Sequence, residues 1–199
     1  MATPLYLTDT AGAISPGPAT GKAASLSRGA GVQASVLTFV SGPTSGQQFG
    51  DTLIEWFFQV DAVTISGTVT MNVWGGESSS AVNGGLQAQV DEVNSAGTLV
   101  HAILNSEYGT ELAGGDGVNN WTAAPTSTTV TGGNYLRLRI LVNDAGGTLS
   151  QTGARTVTLR YAGTGAGASG DTYIQFSEAV TAYSGGGGRV QRLTSLGVG

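Results

Sequence analysis

Ala62–Trp74 reads AVTISGTVTMNVW. Val63, Ile65, Val69, Met71 and Val73 fall on one side of an alternation, and Thr64, Ser66, Thr68, Thr70 and Asn72 fall on the other. A β-strand turns successive side chains to opposite faces, so this stretch predicts a strand with one apolar and one polar face. Trp74 closes it on the Thr side. The same period-two pattern recurs in several Thr- and Val-rich runs, and together they set the fold class.

Outward from this stretch, strands are predicted at Val32–Val40, Thr52–Val60, Leu86–Val93 and Thr98–Leu104. After a long loop come Thr128–Val130, Tyr135–Val142, Arg155–Tyr161 and Tyr173–Val180. Asn94-Ser95-Ala96-Gly97, Gly132-Gly133-Asn134 and Asn143–Gly147 separate them with residues that accept turn geometry. Short strands at regular intervals, with no apolar stripe at helical spacing, predict an all-β chain: a jelly-roll-like β-sandwich over residues 32–183. Residues 1–31 carry Pro4, Pro16 and Pro18 and read as an extended N-terminal arm, in which Leu5–Leu7 has room for a short edge strand. The run Ser184–Gly188 is a flexible linker into the tail Arg189–Gly199, RVQRLTSLGVG. That tail reads either as a disordered terminus or as an arm docking on a neighbouring subunit, which would put Arg189 and Arg192 at the contact.

The 199 residues suit one domain of this class, and 40% hydrophobic composition supports a sizeable core. Only 11% are charged, against ~25% in ordinary soluble domains, so the surface relies on Thr, Ser, Asn, Gln and Gly or on partners that cover it. A net charge of −5 argues against a nucleic-acid binder, which needs basic charge to displace counterions. No run of ~18 uncharged apolar residues predicts a membrane span, and the N-terminus shows no basic region followed by an apolar one. Zero cysteines exclude disulfides, thiolate metal sites and cysteine nucleophiles together.

Catalytic chemistry is sparse. His101 is the only histidine and no GxSxG elbow accompanies it, so a hydrolase triad is not expected. The formal GxGxxG at Gly165, Gly167 and Gly170 precedes a strand, TYIQF, where a dinucleotide site needs a helix. Acidic residues are scattered, with no two singled out as a glycosidase pair. Gly114–Asn120 offers Asp and Asn oxygens but lacks the periodicity and distal Glu of an EF-hand loop. The chain is therefore expected not to be an enzyme and to use no cofactor or metal. Contact chemistry is better represented. Trp121, in NNWTAAP, is the best candidate for an exposed aromatic platform, against core or interface packing. Arg137 and Arg139 share one strand face, either as bidentate donors across an interface or in cross-strand pairs with Asp or Glu.

The opening MATPLYLTDTAGAISP, the strand AVTISGTVTMNVWGGES and the closing RTVTLRYAGTGAGASGDTYIQFSEAV resemble virion structural proteins of tailed bacteriophages, over about residues 1–183. The resemblance is nearest to capsid decoration (cement) proteins. It implies a homo-oligomer, with a trimer favoured, that bridges subunits of the major capsid protein or other virion proteins. It implies location in a virion assembled in the host cytoplasm. The alternative is a tail, fibre or baseplate protein with receptor or carbohydrate binding. Arg137, Arg139, Trp121, Arg189 and Arg192 are the expected interface residues, with no catalytic residues, no nucleic acid and no membrane.

Overall fold

The structure, a computed structural model, describes residues 1–11, 21–28, 35–41, 52–78, 84–144, 155–163 and 171–185. Among these the regular structure is all β. The strands are β1 (Thr3–Ala11), β2 (Lys22–Ser25), β3 (Ser35–Ser41), β4 (Thr52–Gln59), β5 (Val63–Ile65), β6 (Val69–Glu77) and β7 (Gly84–Val93). They continue with β8 (Leu99–Glu107), β9 (Gly117–Ala123), β10 (Thr128–Val130), β11 (Tyr135–Asp144), β12 (Arg155–Tyr161) and β13 (Tyr173–Phe176). The main sheet runs β3-β12-β6-β13-β1-β2-β4-β11-β7-β8, with β9 paired to β6, while β5 and β10 form a separate ribbon. Every pairing is antiparallel except β2 with β4.

This sheet folds over on itself into a jelly-roll-like sandwich, because its two halves fill one core. The β2-β4-β11-β7-β8 half contributes Trp56, Phe58, Leu86, Val90, Leu136, Leu138 and Ile140. The β1-β13-β6-β12 half contributes Leu5, Leu7, Val69, Met71, Val73, Leu159 and Phe176. Both sets alternate along their strands, as a two-layer core requires. Trp56 spans the layers. Its ring packs edge-on against Tyr161 of β12, with centroids 5.3 Å apart, and its Nε1 donates to the Thr8 carbonyl at 2.9 Å. The far edges also meet: the Thr126 amide donates to the Ile103 carbonyl of β8, and Trp121 Nε1 of β9 donates to Ser106 Oγ of β8.

Two of the segments that differ from expectation bear on the core. Ala62–Trp74 is two strands, β5 and β6, broken at Ser66–Thr68. The Glu178 carboxylate accepts the Ser66 and Gly67 amides there, at 2.9 and 2.6 Å, and replaces ladder bonds at the break. The alternation survives: Ile65, Val69, Met71 and Val73 are fully buried, while Thr64, Ser66 and Thr68 are exposed. The segment 1–31 also departs from a free arm. Its Thr3–Ala11 is a central strand, paired with β13 on one side and β2 on the other, and Leu5 and Leu7 are fully buried. The apolar alternation at Leu5 and Leu7 outweighs Pro4: the Leu7 amide points to β13, so the Pro4 nitrogen faces the other side, where β2 pairs only from Tyr6 onward. The sheet therefore includes β1 and is not confined to residues from 32 onward. The tail beyond residue 185 lies outside the described residues.

Candidate functional site

The polar side of β6, the Thr face of the sequence, lies on the outside of the β9-β6-β13-β1 layer. The register sets Asn120, Asn72, Tyr173 and Tyr6 abreast across four strands. Two residues along β6 from Asn72, on the same face, Trp74 stands between Val118 of β9 and Arg160 of β12. Arg28, Asn72, Trp74, Asn120, Asp171 and Tyr173 line a pocket of about 210 Å³ here. Val118, 45% exposed, adds an apolar patch at its side.

Asp171 is the unusual member. Its side chain is 5% exposed; Oδ2 pairs with the Arg28 guanidinium at 3.1 Å, and the buried Oδ1 accepts no hydrogen bond from any described residue. Burial pushes its pKa up, against the pull of the Arg28 charge. Burial also raises the Tyr173 phenol, with the Asp171 charge and Tyr6 acting in the same direction and Arg28 opposing. Arg28 lies over the Tyr6 ring, 5.4 Å from its centroid, and Tyr6 meets Tyr173 edge-on at 5.5 Å. The segment carrying Asp171 is pinned to β6: Asn72 Nδ2 donates to the Asp171 carbonyl at 2.7 Å, and the Trp74 amide donates to Thr172 Oγ1 at 3.0 Å. A rigid site with two aromatic rings, two side-chain amides and a buried acceptor is equipped to bind a polar ligand that donates hydrogen bonds.

The residues named from sequence are placed elsewhere. Trp121 is not in a loop but in β9, in register with Met71, packed against the core and tilted on Tyr108 with centroids 5.3 Å apart. Its half-buried ring is a packing group, and the same strand absorbs the loop Gly114–Asn120 from Gly117 onward. Asp116, the acid of that loop, pairs with Arg160. Arg137 and Arg139 both donate to Asp91 Oδ2, at 2.8 and 2.7 Å, and Arg137 lies 3.7 Å from Glu55. Of their two readings, cross-strand pairing is the one realised. Arg189 and Arg192 lie outside the described residues.

A second buried carboxylate was not anticipated from sequence. Glu92 is fully buried and accepts from Asn134 Nδ2 at 2.6 Å and the Thr131 amide at 2.9 Å, while Oε2 meets His101 Nδ1 at 2.6 Å. Burial alone would raise its pKa; the bonds from Asn134, His101 and Thr131, with the His101 charge, lower it on balance. Asn72 and Trp74 were visible as outward residues of an alternating strand. Arg28, Asp171 and Tyr173 lie about 45 or 100 positions away, and the β13-β6, β1-β13 and β1-β2 pairings bring them to β6.

No family model matches the chain, and no curated protein sequence matches it. Its fold does match solved structures. A CocE/NonD family hydrolase from Staphylococcus aureus superposes with a TM-score of 0.57 at 12% identity. An aminopeptidase from a marine sediment Thaumarchaeota archaeon gives 0.59 at 10%, and an alpha-amino acid ester hydrolase gives 0.55 at 11%. Each match covers 88% of this chain and 36% of the hydrolase chain, so the chain spans about a third of their length. At these identities the likeness is one of fold. It overturns the expectation that the chain is not an enzyme. That expectation rested on missing motifs, and this same scaffold occurs within hydrolase chains.

Proposed function

We propose that the chain is a recognition module of a virion, in which the jelly roll presents the outer face of β9-β6-β13-β1 to a receptor. The buried Oδ1 of Asp171, to which no described residue donates, beside Trp74 and Tyr173 carries the recognition part of this reading. Leaving a buried acceptor unpaired costs ~1–3 kcal/mol, which a donor on a bound ligand would recover. The virion setting rests on the sequence resemblance. Within it, a concave polar pocket favours the tail, fibre or baseplate role over capsid cement, since bridging shell subunits calls for broad contact surface of roughly 800 Å² per partner. Particles carrying Trp74→Ala test this directly. Assembly should be normal and adsorption to the host should fall; unchanged adsorption, or absence of the chain from purified particles, would refute the reading.

The fold match over 88% of the chain favours a second reading, a module within a larger hydrolase whose substrate meets the same face. Release of p-nitrophenol from amino-acid p-nitrophenyl esters by the native protein, abolished by substitutions on that face, would select it.

A further inference from the structure

We infer that the Trp74–Tyr173 pocket binds an uncharged saccharide, one pyranose ring at a time. This rests on the reading of the β9-β6-β13-β1 face as the contact surface, and it names the ligand chemistry. Four observations converge. First, Trp74 and Tyr173 line the same pocket, and aromatic rings offer apolar faces with polar edges that suit the C–H surface and hydroxyl rim of a sugar. Second, the buried Oδ1 of Asp171 has no donor among the described residues, and a sugar hydroxyl is a donor that needs no charge. Third, Asn72 and Asn120 add amides, which both donate and accept, in register on neighbouring strands. Fourth, Arg28 already neutralises Asp171 through Oδ2, so the pocket presents a compensated pair and not a free charge.

These features weigh against anionic and purely apolar ligands on physical grounds. A phosphate or carboxylate would meet the Asp171 carboxylate, whose charge already draws the Arg28 guanidinium to 3.1 Å. A purely apolar ligand would desolvate the Asn72 and Asn120 amides with no hydrogen bond in return. The volume, about 210 Å³, lies below the ~300 Å³ at which pockets for drug-sized ligands begin, so it holds one ring of an oligosaccharide and leaves the rest outside.

The test uses the whole chain against an array of neutral oligosaccharides, with sialylated and sulfated glycans as the charged arm. Hits are then titrated as methyl glycosides by calorimetry and saturation-transfer NMR. At least one neutral saccharide should bind. Trp74→Ala and Asp171→Asn should each weaken it at least tenfold while circular dichroism and melting temperature hold. Asn120→Ala, at an exposed position, serves as the variant least coupled to folding. Binding only to charged glycans, binding that survives all three substitutions, or no binding at all would overturn the inference. Adsorption lost in Trp74→Ala particles without saccharide binding would overturn the saccharide alone. Saccharide binding with adsorption intact would overturn the receptor reading alone.

Discussion

Replacing Glu92 by Gln removes one charge from the interior and leaves the shape of the side chain. Glu92 is fully buried at the end of the inward row Leu86, Ala88 and Val90, opposite Leu136 of β11. Its Oε1 holds both the Thr131 amide and the Asn134 amide, which shape the turn between β10 and β11. Hydrogen bonds to a charged acceptor are worth ~1.5–3 kcal/mol and to a neutral one ~0.5–1.5, so two such bonds lose about 2 kcal/mol together. The His101 contact involves a side chain that is about half exposed, so it adds at most ~1 kcal/mol. Removing the charge also removes its desolvation cost, which offsets part of the loss. The expected net is about 1–2 kcal/mol, a fall in Tm of roughly 2–8 °C for a domain of this size.

The pH dependence gives that prediction a sign. Glu92 titrates lower in the folded chain than its ordinary 4.5. The unfolded chain therefore takes up the proton first, and the contribution is fully present above the unfolded value of ~4.3 and lost as pH falls through the folded one. Thermal melts of wild type and Glu92→Gln should differ at pH 6 and converge towards pH 3. A gap that stays constant over this range, or that widens on acidification, would refute the assignment of the stabilisation to the Glu92 charge.

Asp91→Ala leaves Arg137 and Arg139, 18 and 22% exposed, without their shared carboxylate. Breaking a buried pair costs ~3–5 kcal/mol, and partial exposure reduces this to about 2–3 kcal/mol, measurable by chemical denaturation. Trp121→Ala should cost about 2–3 kcal/mol because the ring packs on the core, whereas Trp74→Ala on the outer face should change stability by less than ~1 kcal/mol; equal losses would contradict their placement. Gly76→Ala would drive a Cβ into the Gly115 carbonyl, a backbone atom that cannot swing aside, and should lower stability by ~1–3 kcal/mol in the same assay.

The fold class was legible because most strands carry their own alternation. Thr128–Val130 and Arg155–Tyr161 match β10 and β12 residue for residue, and Tyr135–Val142 falls short of β11 by two residues. Two strands, β2 and β9, were not recognised, and β1 was read only as a short edge strand at Leu5–Leu7 within an arm. Pro4, with Pro16 and Pro18 further along, suggested the arm, although Leu5 and Leu7 already alternated. In β2 four residues, KAAS, are too few to show a period. In β9 the sequence GVNNWTA puts Asn119 inward, and no rule of apolar alternation finds it. Asn119 is tolerated there because its Nδ2 donates to the Val73 and Gly75 carbonyls of β6. The candidate site was legible only in half. Asn72 and Trp74 follow from the parity of β6, but Asp171 follows a Gly-rich stretch of sequence and Arg28 lies beyond the end of β2. Their proximity is a product of strand order, which local patterning does not encode. Trp121 was favoured over Trp74 because a loop position suggests exposure, and the pairing of β9 with β6 removes that premise.

The three tryptophans allow one measurement to test the account most directly. Trp56 Nε1 is bonded to the Thr8 carbonyl, Trp121 Nε1 to Ser106, and Trp74 lines the pocket. In a nitrogen-15 correlation spectrum of the full chain titrated with a neutral oligosaccharide from the array, the Trp74 indole signal and the Asn72 and Asn120 side-chain amides should move together. Trp56 and Trp121 should stay in place. Movement of Trp121 in place of Trp74, or three stationary indoles across the neutral saccharides, would contradict the claim that this face is where the protein makes its contact.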